Sequence, residues 1–172
     1  LRNDSLNFGI KRLAFDAESG LSIEKLTFKL KANTRHMHIE NFELQLPHTQ
    51  LQTEDIRLDY DSLGSFKHFA NEVHFDVSTR RPSYITPHDI SMYVKPLKNF
   101  KDRINLSLKV KGTINQFVLS QLMLDAGNKL QIQMNGSMRG TTNFKTAFFY
   151  AGLSKLSINK EGIQFINRNL SN

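Results

Sequence analysis

The chain has 172 residues, 39% hydrophobic and 23% charged, with 23 Lys and Arg against 16 Asp and Glu for a formal net charge of +7. That composition excludes a disordered or fibrous class, and one domain of this size buries roughly 70% of its unfolded surface. The lack of cysteine removes disulfides, thiolate chemistry and cysteine zinc sites, and no window nears the ~18 uninterrupted apolar residues of a membrane-crossing helix.

Phe8, Ile10 and Leu13 lead into a phrase that recurs along the chain. Apolar residues alternate with polar ones, slip by one position, and resume. The phrase reads Ile23, Leu26, Phe28, Leu30; then Ile39, Phe42, Leu44, Leu46; then Leu51, Ile56, Leu58, Tyr60. Period two predicts strands with one apolar face, and a step of three inside it predicts a bulge or tight turn that restores the face. Gly20, Asn33-Thr34 and Pro47-His48 punctuate this first segment. Val73, Phe75 and Val77 predict one more strand, closed by Arg80-Arg81-Pro82, where proline's missing donor suggests a sheet edge or exit.

ITPHDISMYVKPLKNF, from Ile85 to Phe100, is the helical text. Thr86 suits a cap, Pro87 the first helical position and Asp89 the first turn, while Ile90, Tyr93, Val94 and Leu97 fall at helical spacing until Pro96 stops it. Alternation then returns in Ile104, Leu106, Leu108, Val110 and in Leu130, Ile132, Met134, Met138. The slipped phrase also returns in Ile114, Phe117, Leu119, Leu122, Leu124 and in Ile158, Ile163, Phe165. The expected fold is all-β and mainly antiparallel: a strongly curved, groove-forming or barrel-like sheet with a short helical insert near 86–100. It reads as a single β-rich domain over 1–172, with sheet segments 6–84 and 104–166 flanking the insert over 85–101. The chain is expected to be a piece of a longer protein.

Catalytic and metal chemistry find little purchase. His36 and His38 share a strand face at the spacing of a two-ligand arm, but no third ligand is indicated and Arg35 and Glu40 beside them suit a solvated face. Asp55, Asp59 and Asp61 are the densest acids, with Asp59 and Asp61 expected together on the polar face as surface charge. No nucleophile elbow, phosphate-cradling glycine loop or His-Glu metal helix is present in the sequence, so a non-enzyme without cofactor or metal is expected. The bases scatter apart from Arg80-Arg81 and the Lys95, Lys98, Lys101, Arg103 group, and the Phe residues share their face with Leu and Ile rather than with Lys and Arg. Nucleic acid is therefore not an expected partner. Asn3, Asn105, Asn135 and Asn169 match the Asn-x-Ser glycan acceptor pattern, with Asn105 and Asn135 inside expected strands.

The apolar face remains. It reads either as the core of a closed barrel or sandwich, or as an open trough lined for acyl chains. Phe28, Leu30, Phe42, Leu44, Leu46, Leu58, Phe117, Leu119, Ile132 and Met134 are the groove candidates, chosen by phase alone.

Two stretches resemble a known family: FDAESGLSIEKLTFKLKANTRHMHIENFELQLPHTQLQTEDIRLDYDS, from Phe15 to Ser62, and the helical text followed by INLSLKVKGTINQFVLSQLMLDAGNKLQIQMNGSMRG. Both are similar to the Bacteroidetes members of the TamB group of AsmA-like proteins. The resemblance implies the periplasmic portion of an inner-membrane-anchored envelope protein. Phospholipid acyl chains would move along its groove toward the outer membrane, and the parent chain would meet an outer-membrane barrel protein. It supplies no catalytic residues. Lys and Arg along the rim would attract anionic head groups, and unpaired sheet edges would allow a homodimer. The alternative from another class is a closed β-sandwich serving a secreted protein in adhesion or carbohydrate binding.

Overall fold

In the computed structural model, the described residues are 5–16, 22–91, 98, 101–143 and 145–170. Ten strands run as β1 (Leu6–Asp16), β2 (Ser22–Ala32), β3 (His36–Gln45), β4 (Gln50–Asp59), β5 (His74–Thr79), β6 (Tyr84–Ile85), β7 (Ile104–Gly112), β8 (Gln116–Asp125), β9 (Leu130–Arg139) and β10 (Phe148–Ile158). All pair antiparallel in one sheet, in the order β1-β2-β3-β4-β5-β7-β8-β9-β10. The all-β expectation therefore holds.

β6 continues the lane of β5. Gln50 pairs Tyr84 where Thr53 pairs Thr79, and Tyr84 pairs Asn105 where Ser78 pairs Lys109, so β4, β5, β7 and β6 close a circuit of pairing. Arg80-Arg81-Pro82 is accordingly no edge. It is a break in the middle of the sheet, where proline's missing donor falls between the two half-strands. Ser83 patches the break: its hydroxyl accepts from Gln52 N–H at 2.9 Å and lies 2.6 Å from the Arg80 carbonyl and 3.2 Å from that of Gln52.

The slips in the sequence are bulges. Extra residues fall between Ile10 and Leu13 in β1, Ile23 and Leu26 in β2, Glu40 and Glu43 in β3, Thr53 and Ile56 in β4, and Leu119 and Leu122 in β8. Asn41 in the β3 bulge takes φ 52°, a left-handed value that asparagine tolerates better than most residues. β10 carries a further bulge between Leu153 and Lys155. Each bends its strand and adds right-handed twist, which curves the sheet strongly. Ile114 to Phe117 is instead the β7–β8 turn, in which Thr113 N–H donates to the Gln116 carbonyl.

Helical structure differs from the expectation in three places. Pro87–Ile90 is one 3-10 turn with Thr86 at its N-cap position, yet the Thr86 hydroxyl donates to the His48 carbonyl rather than capping. Tyr93, Val94, Pro96 and Leu97 lie outside the described residues. A 3-10 helix over Leu63–His68 runs into α1 (Phe69–Glu72), and α2 (Lys160–Leu170) follows β10. Ile163 and Phe165 thus belong to a helix rather than to a strand, and the second sheet segment ends at Ile158. The reason is local: Asn159 carbonyl accepts from Ile163 N–H, and its side chain accepts from Gly162 N–H at 2.7 Å, which starts a helix.

Little of the chain is a closed core. The buried apolar residues are Leu46, Tyr60, Val73, Ile104 and Leu130 among the described residues. A compact monomer of this mass would expose roughly 8,600 Å². The chain exposes 11614 Å². The excess is what one sheet without a second layer produces.

Candidate functional site

Cross-strand register assembles the apolar positions into rows, because directly paired residues share a face. One row runs Leu6, Ala32, Met37, Leu58, Phe75, Gly112, Phe117, Met138, Phe149. The next runs Phe8, Leu30, Ile39, Ile56, Val77, Val110, Leu119, Gly136, Ala151. A third joins Leu13, Leu26, Leu44 and Leu51 on one side of the β5–β6 break to Leu106, Leu124, Ile132 and Leu156 on the other. Between the second and third rows stand Ile10 beside Phe28, with Phe42 in the bulge opposite, and Leu108, Leu122, Met134 and Leu153. All of the bulges but that of β2 fall in or beside this band, so each bulged strand returns its apolar set to the same side after its extra residue.

Of the ten residues chosen by phase, Phe28, Leu30, Phe42, Leu44, Leu58, Phe117, Leu119, Ile132 and Met134 fall in these rows or the band between them, while Leu46 lies past the end of β3 in the β3–β4 turn. Leu46 is buried and the other nine are half-buried. Toward the open edges the same rows are exposed: Phe8 is 53% and Leu13 39% accessible in β1, Phe149 and Leu153 58% each in β10. Among the described elements, no helix packs across this face. α2 touches the sheet along β10, and α1 packs chiefly on the 3-10 helix before it. A face about nine strands wide, apolar along its rows and covered by no layer among the described elements, is the most distinctive surface of the molecule.

Two small ends are closed, one around aromatic and apolar side chains and one around polar ones. At one, Tyr60 and Phe66 meet edge to face at 4.8 Å, Val73 is fully buried beside them in sequence, and Tyr60 Oη donates to the Asn33 carbonyl at 2.8 Å. Burial pushes the Tyr60 phenol above its ordinary range. This cluster escaped sequence reading, although Ser62 as cap with Leu63, Phe66, Phe69 or Ala70, and Val73 at helical spacing would have signalled it. At the other end Thr49, Thr86 and Asp89 are buried together.

The opposite face carries the charge. Lys25 pairs Glu43 at 2.7 Å, Lys31 pairs Glu40 at 2.6 Å, and Arg57 Nε donates to Asp55 at 2.6 Å. Hydrogen bonding to Asp55 raises the Arg57 guanidinium further above its already high range. His36 and His38 do share this face, and each takes an acid on β4: Asp59 at 2.6 Å and Asp55 at 3.9 Å. Asp61 lies beyond the end of β4 and so does not stand beside Asp59 on a strand face. Among the described residues no three His, Asp or Glu groups converge as a metal set. Asn105 and Asn135 lie within β7 and β9. No helix among the described residues is long and apolar enough to cross a membrane.

A concavity of about 600 Å³ lies near α1 and the β7–β8 turn and is lined by Asp59, Asn71, His74, Asp76, Lys111 and Gln116 among others, touching the apolar rows at Phe75, Gly112 and Phe117. A cleft of about 280 Å³ opens at the β5–β6 break beside Pro82 and Ser83. No family model, curated protein or solved structure matches the chain.

Proposed function

We propose that the chain is a non-catalytic segment of an envelope-spanning protein of the TamB, AsmA-like kind, and that its apolar face carries phospholipid acyl chains toward the outer membrane. The observation that carries this reading is the set of apolar rows on nine strands with no layer over them among the described elements. Uncovered apolar surface on that scale requires an occupant, and a shallow, extended face without a deep pocket favours sliding over tight capture. The likeness of 15–62 and of the stretch from Ile85 onward to that group gives the occupant its chemistry. In this reading the segment is periplasmic, the parent chain reaches an inner-membrane anchor and an outer-membrane barrel partner, and β1 and β10 continue the sheet or pair with a second copy. The adhesion or carbohydrate-binding alternative relied on a closed sandwich of two facing sheets, whereas the described strands form one.

Native mass spectrometry of the domain purified from bacterial membranes, with solvent extraction of what accompanies it, tests the proposal. Phospholipid at a defined stoichiometry, lost in Leu44→Asp or Leu119→Lys while the fold persists, is the expected result. A ligand-free mass in wild type, together with unfolding of both variants, would overturn it.

A further inference from the structure

The β3–β4 turn and the insert after β6 meet where the apolar rows end. Thr86 N–H donates to Thr49 Oγ1 at 2.9 Å, and Thr86 Oγ1 donates to the His48 carbonyl at 2.7 Å. These bonds already close the junction. Asp89, only 9% exposed, adds two more: its Oδ2 accepts from His48 N–H at 3.0 Å and its Oδ1 lies 3.0 Å from His48 Nδ1. His88 Nδ1 stands 2.6 Å from the Lys98 carbonyl. A carboxylate and a carbonyl can only accept, so both imidazoles carry a proton on Nδ1. Neither Nε2 has a partner among the described residues. His48, Thr86, His88 and Lys101 line a pocket of about 160 Å³, and Lys101 makes no ion pair among those residues.

We infer that this pocket binds a phosphate monoester. The carboxylate behind His48 fixes a ring whose side chain is itself 63% exposed, an arrangement that aims a nitrogen outward. Two imidazole nitrogens and one ammonium suit an ion that both accepts and donates: Lys101 donates to P–O⁻, while an unprotonated Nε2 accepts from P–OH. A divalent cation would find two nitrogen ligands but also a positive ammonium in the same pocket, which opposes it. The phosphate comes either from a soluble ester or from a lipid head group of the phosphatidic acid type. Only the lipid source rests on the acyl-chain reading, since Leu46, Ile85 and Ile104 bring the apolar face to the same end.

The test is an amide-resolved NMR titration of the whole chain. Inorganic phosphate and sn-glycerol 3-phosphate are expected to shift His48, Thr86, His88 and Lys101 saturably. Lys101→Gln and His48→Gln, both at accessible side chains, should each weaken binding about tenfold by removing one charge-assisted or hydrogen-bonded contact. Shifts that do not saturate, or that persist unchanged in both variants, would overturn the inference. Dihexanoyl phosphatidic acid then separates the sources. Movement of the pocket together with Leu44 and Leu119 supports a lipid head group. Movement of the pocket alone supports a soluble ester and counts against the acyl-chain reading. Movement of the apolar rows alone overturns the pocket and leaves that reading standing.

Discussion

Replacing Leu119 and Val73 by lysine, one at a time, separates an open face from a closed core. Leu119 sits in β8 between Val110 and Gly136 and is half-buried on a sheet face that no described element covers. Burying a leucine side chain fully is worth about 1.5–3 kcal/mol, so a half-buried one contributes about 1 kcal/mol. A lysine there keeps its methylene stem against the sheet and lifts its ammonium into water, so the expected loss is about 1 kcal/mol, or roughly 2–4 °C in Tm for a chain of this size. Val73 is 0% exposed. An ammonium at that position has neither water nor a carboxylate, and the penalty exceeds about 4 kcal/mol, a large part of the 5–15 kcal/mol that holds a typical domain together. Urea titration followed by far-ultraviolet circular dichroism reads both. Leu119→Lys should unfold cooperatively near the wild-type midpoint, while Val73→Lys should lack a folded baseline. Equal collapse of the two variants would refute the open face, because it would mean that Leu119 is sealed from water in solution.

Three further outcomes are expected. Ser83→Ala leaves Gln52 N–H without its acceptor in the β5–β6 break, and urea midpoints should report a loss of about 1–3 kcal/mol. Gly162→Ala would drive a methyl into the Lys129 carbonyl oxygen, so α2 must leave the β8–β9 turn, and amide exchange across Lys160–Leu170 should accelerate while β9 stays protected. Tyr60→Phe removes the hydrogen bond to the Asn33 carbonyl, at a cost of about 1 kcal/mol near neutral pH. Burial raises the Tyr60 phenol above 10.0 in the fold, so its contribution is complete below the unfolded value and is lost as pH rises through the folded one. The stability gap between wild type and Tyr60→Phe should accordingly narrow above pH 10, and a gap that widens there would contradict the assignment.

Strand phase was legible because it is local. The step from Ile39 to Phe42 appears in the sequence and again as the bulge at Asn41, since an extra residue must be absorbed before the same side faces in. That logic matches the cross-strand rows at nine of the ten chosen residues, Leu46 in the β3–β4 turn being the exception. It failed at Ile158, Ile163 and Phe165, where a few apolar residues at mixed spacing fit strand and helix equally and the Asn159 side chain decides for the helix. It failed again at Pro82, because proline excludes a ladder bond without saying whether the strand resumes. Ser83 supplies the answer from 31 residues away in sequence, through Gln52.

By itself, then, the sequence determined which side of most strands is apolar, where β1 to β4 and β8 slip, and that charge gathers on the other side, but not β10 or its bulge. These follow from the two-residue repeat of an extended chain. Only the tertiary structure decided that the strands form one sheet, that β5 and β6 share a lane, and that His48, His88 and Lys101 meet in one pocket. It alone also left the apolar face uncovered by any described element: whether a second layer lands on a face depends on contacts between distant segments, and period-two alternation fits a sealed core and an open trough equally well.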